Sequence, residues 1–340
     1  MTHIYVGFVM LVMVFLALDL GVFNRKAHTI DTKEALRWTL LWVGTALAFN
    51  VLIYFWYQHG WSGLQGDMVG HGKEAAKTFL AGYLLEYSLS LDNVFVIAMI
   101  FGYFAVPSES QHRTLFWGIL GALIFRGLMI GVGAKMIESF VWTMYLFGAI
   151  LLFSAYKMMR AGDEEVDPEH NPLVKMARRL YPVTATYEGE RFFTRLADGR
   201  RAITPLFLVL LVVESTDVMF AVDSIPAIFG ITHDPFIVFT SNVFAILGLR
   251  SLYFVLAGAM RNFRHIKTSL VFVLAFIGVK LLLHEYYPID TTVSLIVLVT
   301  LLGAGVLASV LIPDKTAEAV AAEDNEEQLD LPGTEPTEDE

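Results

Sequence analysis

The strongest constraint on this chain is a series of apolar segments, each close to the length of a membrane-crossing helix. Such a helix needs about 20 apolar residues to cover ~30 Å of hydrocarbon. Nine segments qualify: 4–23, 36–57, 75–104, 114–134, 137–158, 203–230, 236–258, 269–286 and 291–312. Hydrocarbon offers no partner to an open sheet edge, so the spans must be helical. The sequence predicts an all-α polytopic membrane protein with about nine transmembrane helices. Composition agrees: 56% of the 340 residues are hydrophobic and 17% are charged, against about 25% charged in a soluble domain. A soluble enzyme, a nucleic-acid-binding domain and a disordered chain are excluded, and no enzymatic activity is expected. With no cysteine in the chain, thiol redox chemistry, disulfides and thiolate metal sites are excluded too. The first segment lacks a basic leader and a small-residue cleavage site. It reads as a retained span.

Charge divides the chain further. Residues 313–340 hold eleven Asp or Glu and one Lys, which accounts for the whole net charge of -10. The preceding 312 residues hold 23 acids and 23 bases. Residues 1–312 therefore read as the transmembrane domain, and 313–340 as an acidic, disordered tail. With nine spans, sixteen loop bases fall on one side, eight of them from Arg160 to Arg201. Only Lys73, Lys77 and Lys135 fall on the other. The excess of bases marks the cytoplasmic side, so the N-terminus is expected outside and the tail inside. The basic loop at 159–202 contains Asp198-Gly199 between two short segments. This pattern fits a small hairpin, and an irregular basic loop fits it equally.

Three charged landmarks recur in register. Asp92-Asn-Val-Phe95 resembles Asp217-Val-Met-Phe220, and Arg126 and Lys157 have counterparts in Arg250 and Lys280. The spacings are 34 and 31 residues in one unit, 33 and 30 in the other. Spans 3–5 thus match spans 6–8. Three spans are an odd number, so the second unit crosses the membrane in the opposite sense. Inverted repeats with interrupted helices are a common transporter architecture, with the site between the repeats.

Five acids fall inside the long third and sixth segments: Glu86, Asp92, Glu214, Asp217 and Asp223. Each costs about 2.5–3.5 kcal/mol at the centre of an isolated span, so they need partners, water or a cation. Glu86 and Asp92 are six residues apart, as are Asp217 and Asp223. On a straight helix each pair diverges by about 120°, which favours an interruption in both helices. Pro226 supports one in the sixth. Arg126 and Arg250 neutralise only part of the charge. The excess suits a divalent cation with a proton, and an all-oxygen ligand set suits hard ions such as Mg, Ca or Mn. Asn93 and Asn242 are candidate supporting ligands, and Asp19 in the first span is a further candidate.

The segments Glu86-Tyr-Ser-Leu-Ser-Leu-Asp92-Asn-Val-Phe and Glu214-Ser-Thr-Asp217-Val-Met-Phe-Ala-Val-Asp223-Ser-Ile-Pro226, with Thr240-Ser-Asn-Val-Phe-Ala-Ile-Leu-Gly-Leu-Arg250, closely resemble the TerC family of integral membrane proteins, in particular its Alx type. The resemblance implies a multi-pass protein of the bacterial cytoplasmic membrane. It also implies Mn2+ export, with the family's acidic motif residues on Glu86, Asp92, Glu214, Asp217 and Asp223. The family name refers to tellurium resistance, and some members are described as redox modulators. The expected function is a secondary transporter that exports Mn2+ by alternating access, without a prosthetic group. The expected partners are the lipid bilayer, a divalent cation and protons, with no nucleic acid. Other cation–proton exchange, for instance of Ca2+, and a non-transport role in a tellurite-stress or redox complex are the alternatives.

Overall fold

The computed structural model describes residues 2–21, 32–60, 70–140, 142–160, 171–196, 199–257 and 264–311. Among these, 83% are helical. The helices are α1 (Thr2–Gly21), α2 (Thr32–His59), α3 (Gly72–Tyr103), α4 (Ser108–Ser139), α5 (Thr143–Arg160), α6 (Pro172–Leu180), α7 (Pro205–Phe229), α8 (Pro235–Leu247), α9 (Leu249–Ala257), α10 (Arg264–Leu283) and α11 (Thr291–Leu311). Two short strands, β1 (Phe193–Arg195) and β2 (Arg201–Ile203), pair antiparallel, with Thr194 opposite Ala202. Gly199 supplies the positive φ, +83°, that the connecting turn requires.

Local chemistry starts several helices cleanly. Pro172, Pro205 and Pro235 each occupy the first turn of their helices, where a missing N–H costs nothing. The Asn171 side chain accepts from the Leu173 amide at 2.9 Å, and that of Asp234 from the Phe236 amide at 2.9 Å. Each satisfies an amide that has no partner within the helix. Asp234 also accepts from the Tyr57 hydroxyl at 2.8 Å, tying the start of α8 to the end of α2.

All nine apolar segments fall on helices. Five of these helices are long and apolar enough to cross a membrane, and a sixth span arises if α8 and α9, bent by 40° at Gly248, count as one. In α1 the apolar stretch, His3–Leu18, is shorter. The interruptions expected in the third and sixth segments do not occur. Helix α3 runs unbroken through Glu86 and Asp92, and α7 continues past Pro226 to Phe229. Proline deprives only the Val222 carbonyl of its donor, and close packing of α7 keeps the helix intact on either side. The break lies instead between α8 and α9. The sequence reading also lacked α6, a nine-residue helix within the basic loop.

The core forms three apolar clusters. One joins α1, α2, the first half of α3, and α8. The second joins the middle of α3 with α5, α10 and the end of α7. The third joins the end of α3 with α6, the hairpin, the start of α7, and α9. Helix α3 packs on α8 as α7 packs on α4, while α5 packs on α10 and α3 on α7. Glycines bring α5 and α10 into contact: a Cβ on Gly148 would lie 3.0 Å from the Gly278 carbonyl oxygen. Such close approach is how helices adhere where water supplies no hydrophobic drive. Helices α3 and α7 contribute to both the second and the third cluster, and all five acids lie on them.

Candidate functional site

Arg126, on α4, is buried and organises the first half of the site. Its Nη2 and Nε donate to the two carboxylate oxygens of Asp217, at 2.9 and 3.2 Å. Its Nη1 donates to Glu86 Oε1 and, at 3.3 Å, to Ser224 Oγ. The planar guanidinium fork suits this two-oxygen grip. Arg126 and Glu86 are each 2% exposed or less, so the pair is dry. The other Glu86 oxygen, Oε2, is buried with no hydrogen-bond partner.

Glu214 lies one turn before Asp217 on α7 and is held differently. Its carboxylate sits against Gly121 of α4, where an added Cβ would fall within 1.9 Å of Oε1. Glycine is required there because the carboxylate occupies the space a side chain would fill. Glu214 Oε2 is buried and also lacks a partner. Two buried carboxylate oxygens without donors are costly unless a proton or cation completes them.

Asp92 and Asp223 form the second half. Together with Asn93 and Ser224 they line a small cavity walled by Leu89, Met158, Phe220 and Leu274. It has room for about one water molecule or a bare ion. Ser154 of α5 donates to Asp223 at 2.5 Å. The charges of Lys267 and Lys157 act on Asp92 and Asp223 respectively. Ser224 joins the halves, since it lines the cavity and accepts from Arg126.

The five acids therefore do not surround a single point. Among the described residues no group of three or more His, Asp or Glu converges as a metal shell. The contacts also differ from the landmark alignment. Landmark matching sets Asp92 against Asp217, whereas the structure pairs Glu86 with Asp217 through Arg126, and Asp92 with Asp223 across the cavity. The shared six-residue spacing within each helix is the better guide to this pairing. Arg250 does not take the place expected for a second arginine beside the acids. It is buried on α9 with Nη1 3.0 Å from His112 Nε2, near the start of α4. The bend at Gly248 precedes it and sets its direction. Asn242 is fully buried on α8 with both amide atoms unpartnered. Asp19 falls in α1, and its side chain lies outside those described.

Several hydroxyls beside the acids turn back onto their own helices: Ser88 bonds the Leu84 carbonyl, and Ser215 and Thr216 bond that of Val212. Sequence reasoning missed Gly121 and Ser154. Ser154 lies three residues before the landmark Lys157, which could have drawn attention to it.

Residues 71–317 match the family described as integral membrane protein TerC family. The chain belongs to the TerC family. A protein of Escherichia coli K12 that bears the provisional name membrane-bound redox modulator Alx is 46% identical over 290 residues, covering 85% of this chain and 88% of its own. An uncharacterized membrane protein of Myxococcus xanthus is 45% identical over 308 residues, 91% and 92% of the two chains. One from Rickettsia bellii is 38% identical over 307 residues, 90% and 97%. No solved structure matches significantly. This member of the TerC family is thus a multi-pass integral membrane protein with bacterial relatives, and all five acids lie within the matched residues.

Proposed function

We propose that the protein is a secondary transporter that exports a hard divalent cation, Mn2+ first among them, from the bacterial cytoplasm by alternating access. The observation that carries this reading is the set of five carboxylates on facing helices α3 and α7, two of whose oxygens are buried without a donor. Carboxylate and amide oxygens suit Mn2+, Mg2+ and Ca2+ better than softer ions, and the TerC resemblance favours Mn2+ among these. Arg126 acts as an internal counter-ion for Glu86 and Asp217. A cation entering the Asp92–Asp223 cavity would draw these carboxylates away from the guanidinium, and Arg126 would reclaim them after release. The guanidinium also repels a second cation, which speeds departure of the first.

The exchange of packing partners, α3 on α8 and α7 on α4, supports the inverted repeat, while nine crossings, an outside N-terminus and an inside C-terminus rest on the apolar segments and the distribution of loop bases. The name carried by the Escherichia coli relative favours a redox role. That role needs an electron carrier other than thiol, because this chain has no cysteine. Uptake into everted membrane vesicles, compared for Mn2+, Ca2+, Mg2+ and Zn2+, tests the proposal. Accumulation of Mn2+ above protein-free controls is the expected result. Vesicles that accumulate none of the four ions would overturn it.

A further inference from the structure

Helix α6 is amphipathic, and the protein covers only part of its apolar surface. At about 100° per residue, Val174 and Ala177 share one side and are buried against α7 and its neighbours. Met176 and Leu180 fall on the adjacent strip and stay 54% and 67% exposed. Lys175, Arg178 and Arg179 take the remaining side, all exposed. The helix is fixed beside the first half of α7. Asn171 donates to Ser215 Oγ at 2.6 Å at one end, and the Thr184 amide donates to the Ile203 carbonyl at 3.0 Å at the other. Helix α7 is itself one of the five long apolar helices.

We infer that α6 is a docking surface for anionic phospholipid headgroups. Its bare apolar strip would enter the acyl boundary beside α7, and its three bases would hold lipid phosphates. An amphipathic helix binds lipid through the same two contacts, an apolar strip in the acyl boundary and bases on the headgroups. The charge has the right sign, because anionic lipid attracts bases at a membrane surface. The hairpin extends the same chemistry, with Phe193 exposed beside Arg195 and Arg201. This inference does not depend on the transport reading.

The test uses the full chain in nanodiscs of phosphatidylcholine alone or mixed with phosphatidylglycerol. The parent protein should retain phosphatidylglycerol over phosphatidylcholine when its bound lipid is weighed by native mass spectrometry. The triple variant K175Q/R178Q/R179Q should lose that preference by about fivefold for each base removed. An equal preference in parent and triple variant would overturn the inference. A second measurement exploits the absence of native cysteine: a nitroxide on Leu180→Cys should be reached by oxygen dissolved in lipid more readily than by an aqueous relaxant, and the reverse order would overturn it. The acidic segment beyond residue 312 is the rival occupant. If replacing Glu323, Asp324, Glu326 and Glu327 by amides exposes the nitroxide to the aqueous relaxant in pure phosphatidylcholine, the tail covers α6 and the lipid assignment falls.

Discussion

At Gly121 a single methyl group decides where a carboxylate can sit. Gly121→Ala would force the Glu214 carboxylate out of its present position, because the new Cβ and Oε1 cannot share a 1.9 Å gap. Ion transport should drop well below the parental rate, while Gly131→Ala on the same helix, which meets nothing within 4 Å, should leave it intact. Equal rates in the two variants, measured in the same vesicles, would show that Glu214 has no positional role. Arg126→Ala leaves Glu86 and Asp217 buried without their partner, at a cost of about 3–5 kcal/mol. Its unfolding midpoint in detergent should fall sharply, and Glu86→Gln added to it should recover part of the loss. An unchanged midpoint in the single variant would mean that the pair is solvated. The five acids are legible in the sequence because charge inside an apolar run is expensive and demands an explanation. Gly121 is not legible, since a glycine within a membrane helix has many possible uses and only the facing carboxylate selects one.

Among the elements, the loop between α7 and α8 offers a pH-dependent contact. His233 lies there, with its ring centroid 5.4 Å from that of His284. Burial first, then the charges of His284 and Lys280, hold its imidazole below the ordinary 6.5. The folded protein therefore binds fewer protons here than the unfolded chain. Stability is full above the ordinary value and is lost as pH falls below it. His233→Gln should flatten the decline in melting temperature from about pH 7 down to about pH 5. A decline as steep as the parent's would place the acid-sensitive group elsewhere. The apolar runs identify their helices because helical backbone satisfies its own polar groups, but spanning length survives in only five single helices, with the first run shorter and the seventh bent at Gly248. The interruption expected near Pro226 fails because proline removes one hydrogen bond, and α7 tolerates that within close packing. Helix α6 escapes notice because nine residues with three bases give too short a pattern to separate from a polar loop. Its Asn171-Pro172 start was the available signal.

For the whole molecule, the distribution of bases underlies the proposed orientation, with the N-terminus outside and the C-terminus inside. A reporter active only in the cytoplasm, fused after residue 312, should be active, and activity of a periplasm-dependent reporter fused at the same point would refute an odd number of crossings with the N-terminus outside. The proposed repeat rests on charged landmarks, yet their alignment alone does not give the contacts that the acids make. Contacts between α3 and α7 depend on helix rotation and on which side chains Arg126 can reach, and one-dimensional spacing does not encode either. In the proposed transport cycle, carboxylates from both helices handle the same ion. Clearance of Mn2+ from loaded cells expressing Asp92→Asn or Asp217→Asn tests it most directly. Each change removes a charge, keeps the shape and eases rather than hinders membrane insertion. Both variants should insert at parental levels and clear no more Mn2+ than cells lacking the protein, and clearance at the parental rate by either would contradict the shared site.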